Sequence, residues 1–223
     1  MKTLLGVLGL LTLTVASATA TPCPTSGNWA TFVGLGSCTS PDGLYSYSNF
    51  DFTSASAISP STIAVNLITT SGNEGFFFDP GFSVGSGTSD DVRLFYSVTG
   101  VGVSFSGLSL DFNGIFTGTG TSLTAETYCL GSAVDLNSTA CGGSQVTQVT
   151  NPPTNLQSSI VFGAVTTLSV SDHIVANGGT NGTAGISSVN NSFNNFGVPE
   201  PATAVLFGGG LLAFGLLRRR LRR

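Results

Sequence analysis

Charge is what this sequence has least of. Only 8% of its 223 residues are Asp, Glu, Lys or Arg, and it has a single histidine and a single tryptophan. Between residues 21 and 197 the one basic side chain is Arg93. Against it stand ten acids, Asp42, Asp51, Glu74, Asp79, Asp90, Asp91, Asp111, Glu126, Asp135 and Asp172, for a formal charge of −9. Lys2, Glu200 and five terminal arginines bring the whole chain to −4. So few cations exclude nucleic acid as a partner, because phosphate binding needs clustered Lys and Arg. One histidine likewise excludes the multi-histidine arrangements of zinc hydrolases. Asp172-His173 invites a triad reading, but no Gly-x-Ser-x-Gly elbow supplies a nucleophile. His173 therefore reads as an exposed strand or turn residue. Helix is missing too: Gly, Ser, Thr and Asn occupy the positions an amphipathic helix of normal length would need.

Large apolar side chains are plentiful. Sixteen Phe and four Tyr are enough to build a core and exclude wholesale disorder. They recur with period 2, the signature of strands with one buried face. Tyr45, Tyr47 and Phe50 begin the pattern, and Ile63, Val65 and Leu67 continue it. Val92, Leu94, Tyr96 and Val98 form the cleanest case, with Arg93, Phe95, Ser97 and Thr99 on the other face. Val101, Val103 and Phe105 follow, then Leu108, Leu110 and Phe112. Asn113-Gly114 is a favoured two-residue turn, after which Ile115 and Phe116 start a returning strand. Leu123, Ala125, Thr127 and Cys129 alternate again, and further strands are expected over 159–165, 167–171 and 174–176. Many short strands with Gly-rich turns predict an all-β fold, an antiparallel β-sandwich. A β-helix would show a regular repeat that is absent here.

The two ends read differently from the body. Met1-Lys2 is a short positive start, an apolar run follows from Leu4, and Ala18-Thr19-Ala20 offers a small-residue cleavage site. Residues 1–20 are thus expected to be a signal peptide. Residues 21–177 form a β-rich extracellular domain, and 178–197, rich in Asn, Gly and Ser, are expected to be a flexible linker. At the other end Val198-Pro199-Glu200-Pro201 precedes an apolar run, 202–217, and then Arg218, Arg219, Arg220, Arg222 and Arg223. The run predicts a single C-terminal transmembrane helix with its arginines on the cytoplasmic side. The two prolines keep the chain extended ahead of it.

In this order, at the extreme C-terminus, these three features resemble the PEP-CTERM sorting domain over residues 198–223. The resemblance implies recognition of the Val198–Pro201 segment by an exosortase, a membrane-embedded transpeptidase-like enzyme, with cleavage nearby. It also implies a Gram-negative host, transient inner-membrane anchoring, and a final place at the cell surface or outside the cell, often alongside exopolysaccharide. The tag is attached to many unrelated passengers, so it leaves the activity of the body open.

Four cysteines remain after signal removal: Cys23, Cys38, Cys129 and Cys141. An even number in an exported chain predicts two disulfides, which three pairings could satisfy. Local pairing is the simplest, since each pair flanks a short polar loop, and closing each would contribute about 3 kcal/mol. A four-cysteine zinc site lacks its usual tight spacing, so no metal and no cofactor are expected.

No catalytic constellation stands out. Glu74, Glu126, Asp79 and Asp111 are nominal carboxylates for glycoside hydrolysis, which needs an acid paired with a base or nucleophile. Asp90-Asp91 lacks a calcium-loop pattern and reads as a solvated turn. Residues 75–82, Gly-Phe-Phe-Phe-Asp-Pro-Gly-Phe, suit a buried corner or an exposed sugar-stacking platform. Asn137, Asn181 and Asn190 begin N-glycosylation-like triplets. The leading expectation is a non-enzymatic cell-surface or extracellular-matrix protein. A carbohydrate-binding or adhesive module of a polysaccharide matrix is the alternative, and a secreted polysaccharide hydrolase a further one.

Overall fold

A computed structural model describes residues 21–70, 73–135 and 140–194. In chain order the elements are β1 (Ser26–Asn28), α1 (Trp29–Leu35), β2 (Ser37–Thr39), β3 (Tyr45–Ser54) and a 3-10 turn (Pro60–Thr62). Then come β4 (Ala64–Thr70), β5 (Asn73–Asp79), β6 (Phe82–Val84), β7 (Ser89–Gly100), β8 (Phe105–Thr117) and β9 (Thr121–Leu130). The last four are β10 (Ser144–Thr150), β11 (Gln157–Val165), β12 (Thr167–Asn177) and β13 (Thr183–Asn194). They form an antiparallel two-sheet sandwich. A seven-stranded sheet has the order β1-β4-β5-β13-β8-β11, with β6 also on β13. A six-stranded sheet has the order β10-β9-β12-β7-β3-β2.

Alternation in the sequence explains most of the strand faces. Val92, Leu94, Tyr96 and Val98 of β7 point inward, as do Leu108, Leu110 and Phe112 of β8 and Phe76 and Phe78 of β5, all buried. Each such side chain contributes about 1.5–3 kcal/mol by leaving water. The short helix α1 supplies the centre of this core. Asn28 caps it, its side chain accepting from the Thr31 amide at 3.1 Å, and Gly36, at φ 69°, ends it. Trp29 is fully buried, donates from Nε1 to the Asp51 carbonyl at 2.9 Å, and meets Phe50, Phe76, Phe78 and Tyr96 edge-on. Such ring pairs add about 0.5–1.5 kcal/mol each beyond their buried area. The cysteines are bonded as Cys23–Cys38 and Cys129–Cys141.

Several expectations are corrected by the structure. Asn113-Gly114 is not a turn: β8 runs straight through it to Thr117, and the reversal comes at Gly118, with φ 56°. Val101 and Val103 lie between β7 and β8, not in a strand. The Asn/Gly/Ser-rich stretch 178–197 is not simply a linker, because it contains β13, which pairs with β5, β6 and β8 inside the seven-stranded sheet. Asp90 and Asp91 stand in β7 instead of in a turn. The expected transmembrane helix is also corrected: among the described residues no helix is long and apolar enough to cross a membrane, and α1 has seven residues. The stretch 202–217, the five terminal arginines, Val198, Pro199, Glu200, Pro201, the signal peptide 1–20 and Asn137 all lie outside the described residues.

Candidate binding groove

The outer face of the seven-stranded sheet carries a row of side chains in register. Asn66 of β4 stands opposite Phe77 of β5, Phe77 opposite Asn190 of β13, Asn190 opposite Asp111 of β8, and Asp111 opposite Gln157 of β11. At the usual strand spacing such a row spans about 19 Å. The side chains of Val65, Phe76, Phe78, Leu110 and Val189 beside it go into the core, so parity sends the row outward. Phe77 is half-buried and is the row's single aromatic ring, with polar groups on both sides.

A segment between β10 and β11 turns this face into a groove. Asn151 and Asn155 exchange backbone hydrogen bonds of 2.7 and 3.0 Å, the Asn155 side chain donates to the Val149 carbonyl at 2.6 Å, and the Phe112 amide donates to the Leu156 carbonyl at 2.8 Å. Pro153, Thr154 and Leu156 are thereby held beside the row as a wall. The hollow they enclose with Phe77, Asp111, Asn113, Gln157, Ser188 and Asn190 measures about 670 Å³. Asn113 also borders a second hollow of about 470 Å³, lined by Asp79, Phe82, Ile115 and Ser187 among others. The two hollows thus share a residue on one sheet face, as an extended ligand would require.

Within the groove the polar groups are ordered. The Asn190 side chain donates from Nδ2 to Asp111 Oδ2 at 3.1 Å, which fixes the carboxylate and leaves its other oxygen to accept elsewhere. Asn190 Oδ1 is enclosed and has no protein partner. A register shift in β13 between Ile186 and Ser188 brings the Ser187 hydroxyl to the Asn113 carbonyl at 3.2 Å. Such irregularities re-aim side chains beside functional surfaces. The combination of one apolar ring, a fixed carboxylate and several amides and hydroxyls can hold a polyhydroxylated ligand by stacking and hydrogen bonding. It offers no nucleophile with an adjacent base.

The nominal catalytic carboxylates do not meet there. Glu126 of β9 and Asp172 of β12 are opposite each other in register but face the space between the sheets, fully buried. Tyr128 donates its hydroxyl to Glu126 and lies 3.3 Å from Gln148 Oε1. Asn191 donates to Tyr96 at 2.7 Å and to Asp172 at 3.4 Å. Burial and then the neighbouring Asp172 charge push the Glu126 carboxyl well above the usual range, and burial raises Asp172 to about 6. Glu74 also points inward and is raised to about 7 by burial and then by Asp42. A substrate has no access to any of these three. Asp79 and Asp111 lie on the outer face, each in its own hollow.

His173 stands on the outer face of the other sheet, its Nε2 2.9 Å from Asp91. Asn190, read as the start of a glycosylation triplet, is a half-buried groove residue, while Asn181 is an exposed turn residue. Of the four phenylalanines in the stretch 75–82, Phe76, Phe78 and Phe82 are core and Phe77 turns outward, as Asp79 does. Sequence reasoning missed the roles of Asn190, Ser188, Asn113 and Gln157. The available signal was the polar alternation of 188–194, which resembles a linker when taken as composition.

No curated protein sequence matches the chain. Among solved structures it is similar to the carbohydrate-binding module TmCBM61, solved with β-1,4-galactotriose, at 10% identity over 65% of this chain and 88% of that one, with a TM-score of 0.31. The enzymatically active domain of tailspike protein 4 from bacteriophage CBA120 aligns at 11% identity over 66% of this chain and 19% of that one, with a TM-score of 0.29. Endoglucanase 3 of Trichoderma harzianum, from family GH12, aligns at 12% identity over 66% and 98%, with a TM-score of 0.25. Likenesses at this level do not bear on how the groove works. The C-terminal segment carries the PEP-CTERM protein-sorting motif, found over residues 197–220 and linked generally to exported, cell-surface bacterial proteins.

Proposed function

We propose that this chain is an exported cell-surface protein, processed by an exosortase at its sorting motif, whose β-sandwich is a non-catalytic polysaccharide-binding module. The observation that carries the binding role is the row Asn66, Phe77, Asn190, Asp111 and Gln157 across the outer sheet face, walled by the 151–156 segment. Phe77 supplies the apolar face on which a sugar ring stacks, and the flanking amides and carboxylate bond its hydroxyls. The body is read as non-catalytic because Glu74, Glu126 and Asp172 are sealed in the core while Asp79 and Asp111 occupy separate hollows.

Affinity electrophoresis through gels containing soluble polysaccharides tests this reading. The protein is expected to be retarded by at least one polysaccharide, and Phe77→Ala to lose at least about tenfold in affinity, a loss of about 1.4 kcal/mol. Retardation unchanged in Phe77→Ala would remove the groove from the account. Release of reducing sugar from the bound polymer would contradict the non-catalytic reading.

A further inference from the structure

We infer that the groove selects a neutral polysaccharide chain and excludes polyanionic ones, an inference that rests on reading the groove as a glycan site. The fixed charges bordering the two hollows are Asp111 in the first and Asp79 in the second, and neither hollow is lined by a cation. Recognition of a uronate or sulfate ester calls for an opposing Lys or Arg, above all the bidentate fork of Arg. The one basic side chain between residues 21 and 197 is Arg93. It stands in β7 of the six-stranded sheet, opposite His173 on that sheet's outer face. The whole thickness of the sandwich separates it from the groove, so its guanidinium cannot pair with a ligand held there.

The hydrogen-bonding chemistry points the same way. Asp111 is acceptor-only when ionised, and Asn190 already fills one of its oxygens. The other oxygen therefore demands an O–H or N–H donor from the ligand. Sugar hydroxyls meet that demand, whereas a ligand carboxylate would bring acceptor against acceptor and like charge against like. With buried carboxyls such as Glu126 held protonated the body carries less than its formal −9, but it stays net negative and adds long-range repulsion of any polyanion.

The test is affinity electrophoresis of the full chain in parallel gels containing a neutral glucan, a neutral galactan, or a polyuronate, at low and at physiological salt. Retardation by a neutral polymer at both salts, at least tenfold stronger than by the polyuronate and abolished by Phe77→Ala, supports the inference. Asp111→Asn keeps the shape and removes the charge, so it is expected to narrow the neutral-to-uronate ratio at least tenfold. If the polyuronate retards the protein as strongly as the neutral polymers, and Phe77→Ala abolishes this, the groove is a glycan site and the neutral-chain inference is overturned. If none of the polymers retards it, the glycan reading falls and takes the inference with it.

Discussion

Phe76, Phe77 and Phe78 follow one another in β5, yet parity divides them between two jobs. Phe76 packs among Trp29, Phe32, Tyr47 and Tyr96, with ring centroids 5.0–6.0 Å away. Phe77 faces the groove. Phe76→Ala is therefore expected to destabilise the fold by about 3–5 kcal/mol, a loss that thermal or urea unfolding would register. Phe77→Ala is expected to leave stability nearly unchanged and to act on binding alone. Equal stability losses in the two variants would contradict the assignment of faces. The buried carboxyls make a second residue-scale prediction. Glu126, Asp172 and Glu74 all have folded pKa values raised by burial, so the folded state holds protons that the unfolded chain releases. Stability from these groups is then fully present below the unfolded values near 4 and falls as pH rises, through about 6 for Asp172 and about 7 for Glu74. The melting temperature is expected to drop between pH 4 and pH 7. Glu126→Gln, which removes one buried ionisable group, is expected to flatten that profile and raise the melting temperature at pH 7, by about 2–4 °C per kcal/mol recovered. A profile that rises with pH over this range, or is the same in the variant, would show that the pair is not buried in the protonated state.

At the scale of elements, legibility depended on whether the inward positions were apolar and evenly spaced. β7 and the first half of β8 satisfied both conditions and could be read directly. β9 did not: its inward residues are Ser122, Thr124, Glu126 and Tyr128. The apparent apolar alternation of Leu123, Ala125, Thr127 and Cys129 belongs to its outer face. β13 failed on spacing. Ala184 and Ile186 point inward, the register shifts, and Val189, Asn191 and Phe193 carry on with opposite parity. A period-2 search loses such a strand at the bulge, and its Asn and Ser content completes the resemblance to a linker. Its closeness to β5 was equally hidden. A Cβ on Gly75 would lie 1.9 Å from the Asn191 carbonyl oxygen, so glycine there is a packing requirement. The groove was harder still to read, since its row draws one side chain from each of five strands, of which only β4 and β5 are neighbours in sequence. Because β13 is flanked by strands on both sides, a chain ending at Asn177 is expected to lack cooperative unfolding, while one ending at Asn194 keeps it. Circular dichroism melts of the two truncations check this; a well-folded shorter chain would restore the linker reading.

For the molecule as a whole, the sorting motif and the groove answer different questions. The motif concerns delivery, and its passenger is free to be anything. The groove sits on one sheet face, on the side opposite the His173–Asp91 pair, and on the function proposed above it is the surface that meets a polysaccharide. The most direct measurement of this central claim is chemical-shift mapping of the isotope-labelled protein titrated with neutral oligosaccharides. Perturbations are expected to concentrate at Phe77, Asp111, Asn113, Gln157 and Asn190, with His173 and Arg93 on the other face unmoved. Saturable shifts centred on the His173 face, or on no surface at all, would contradict it.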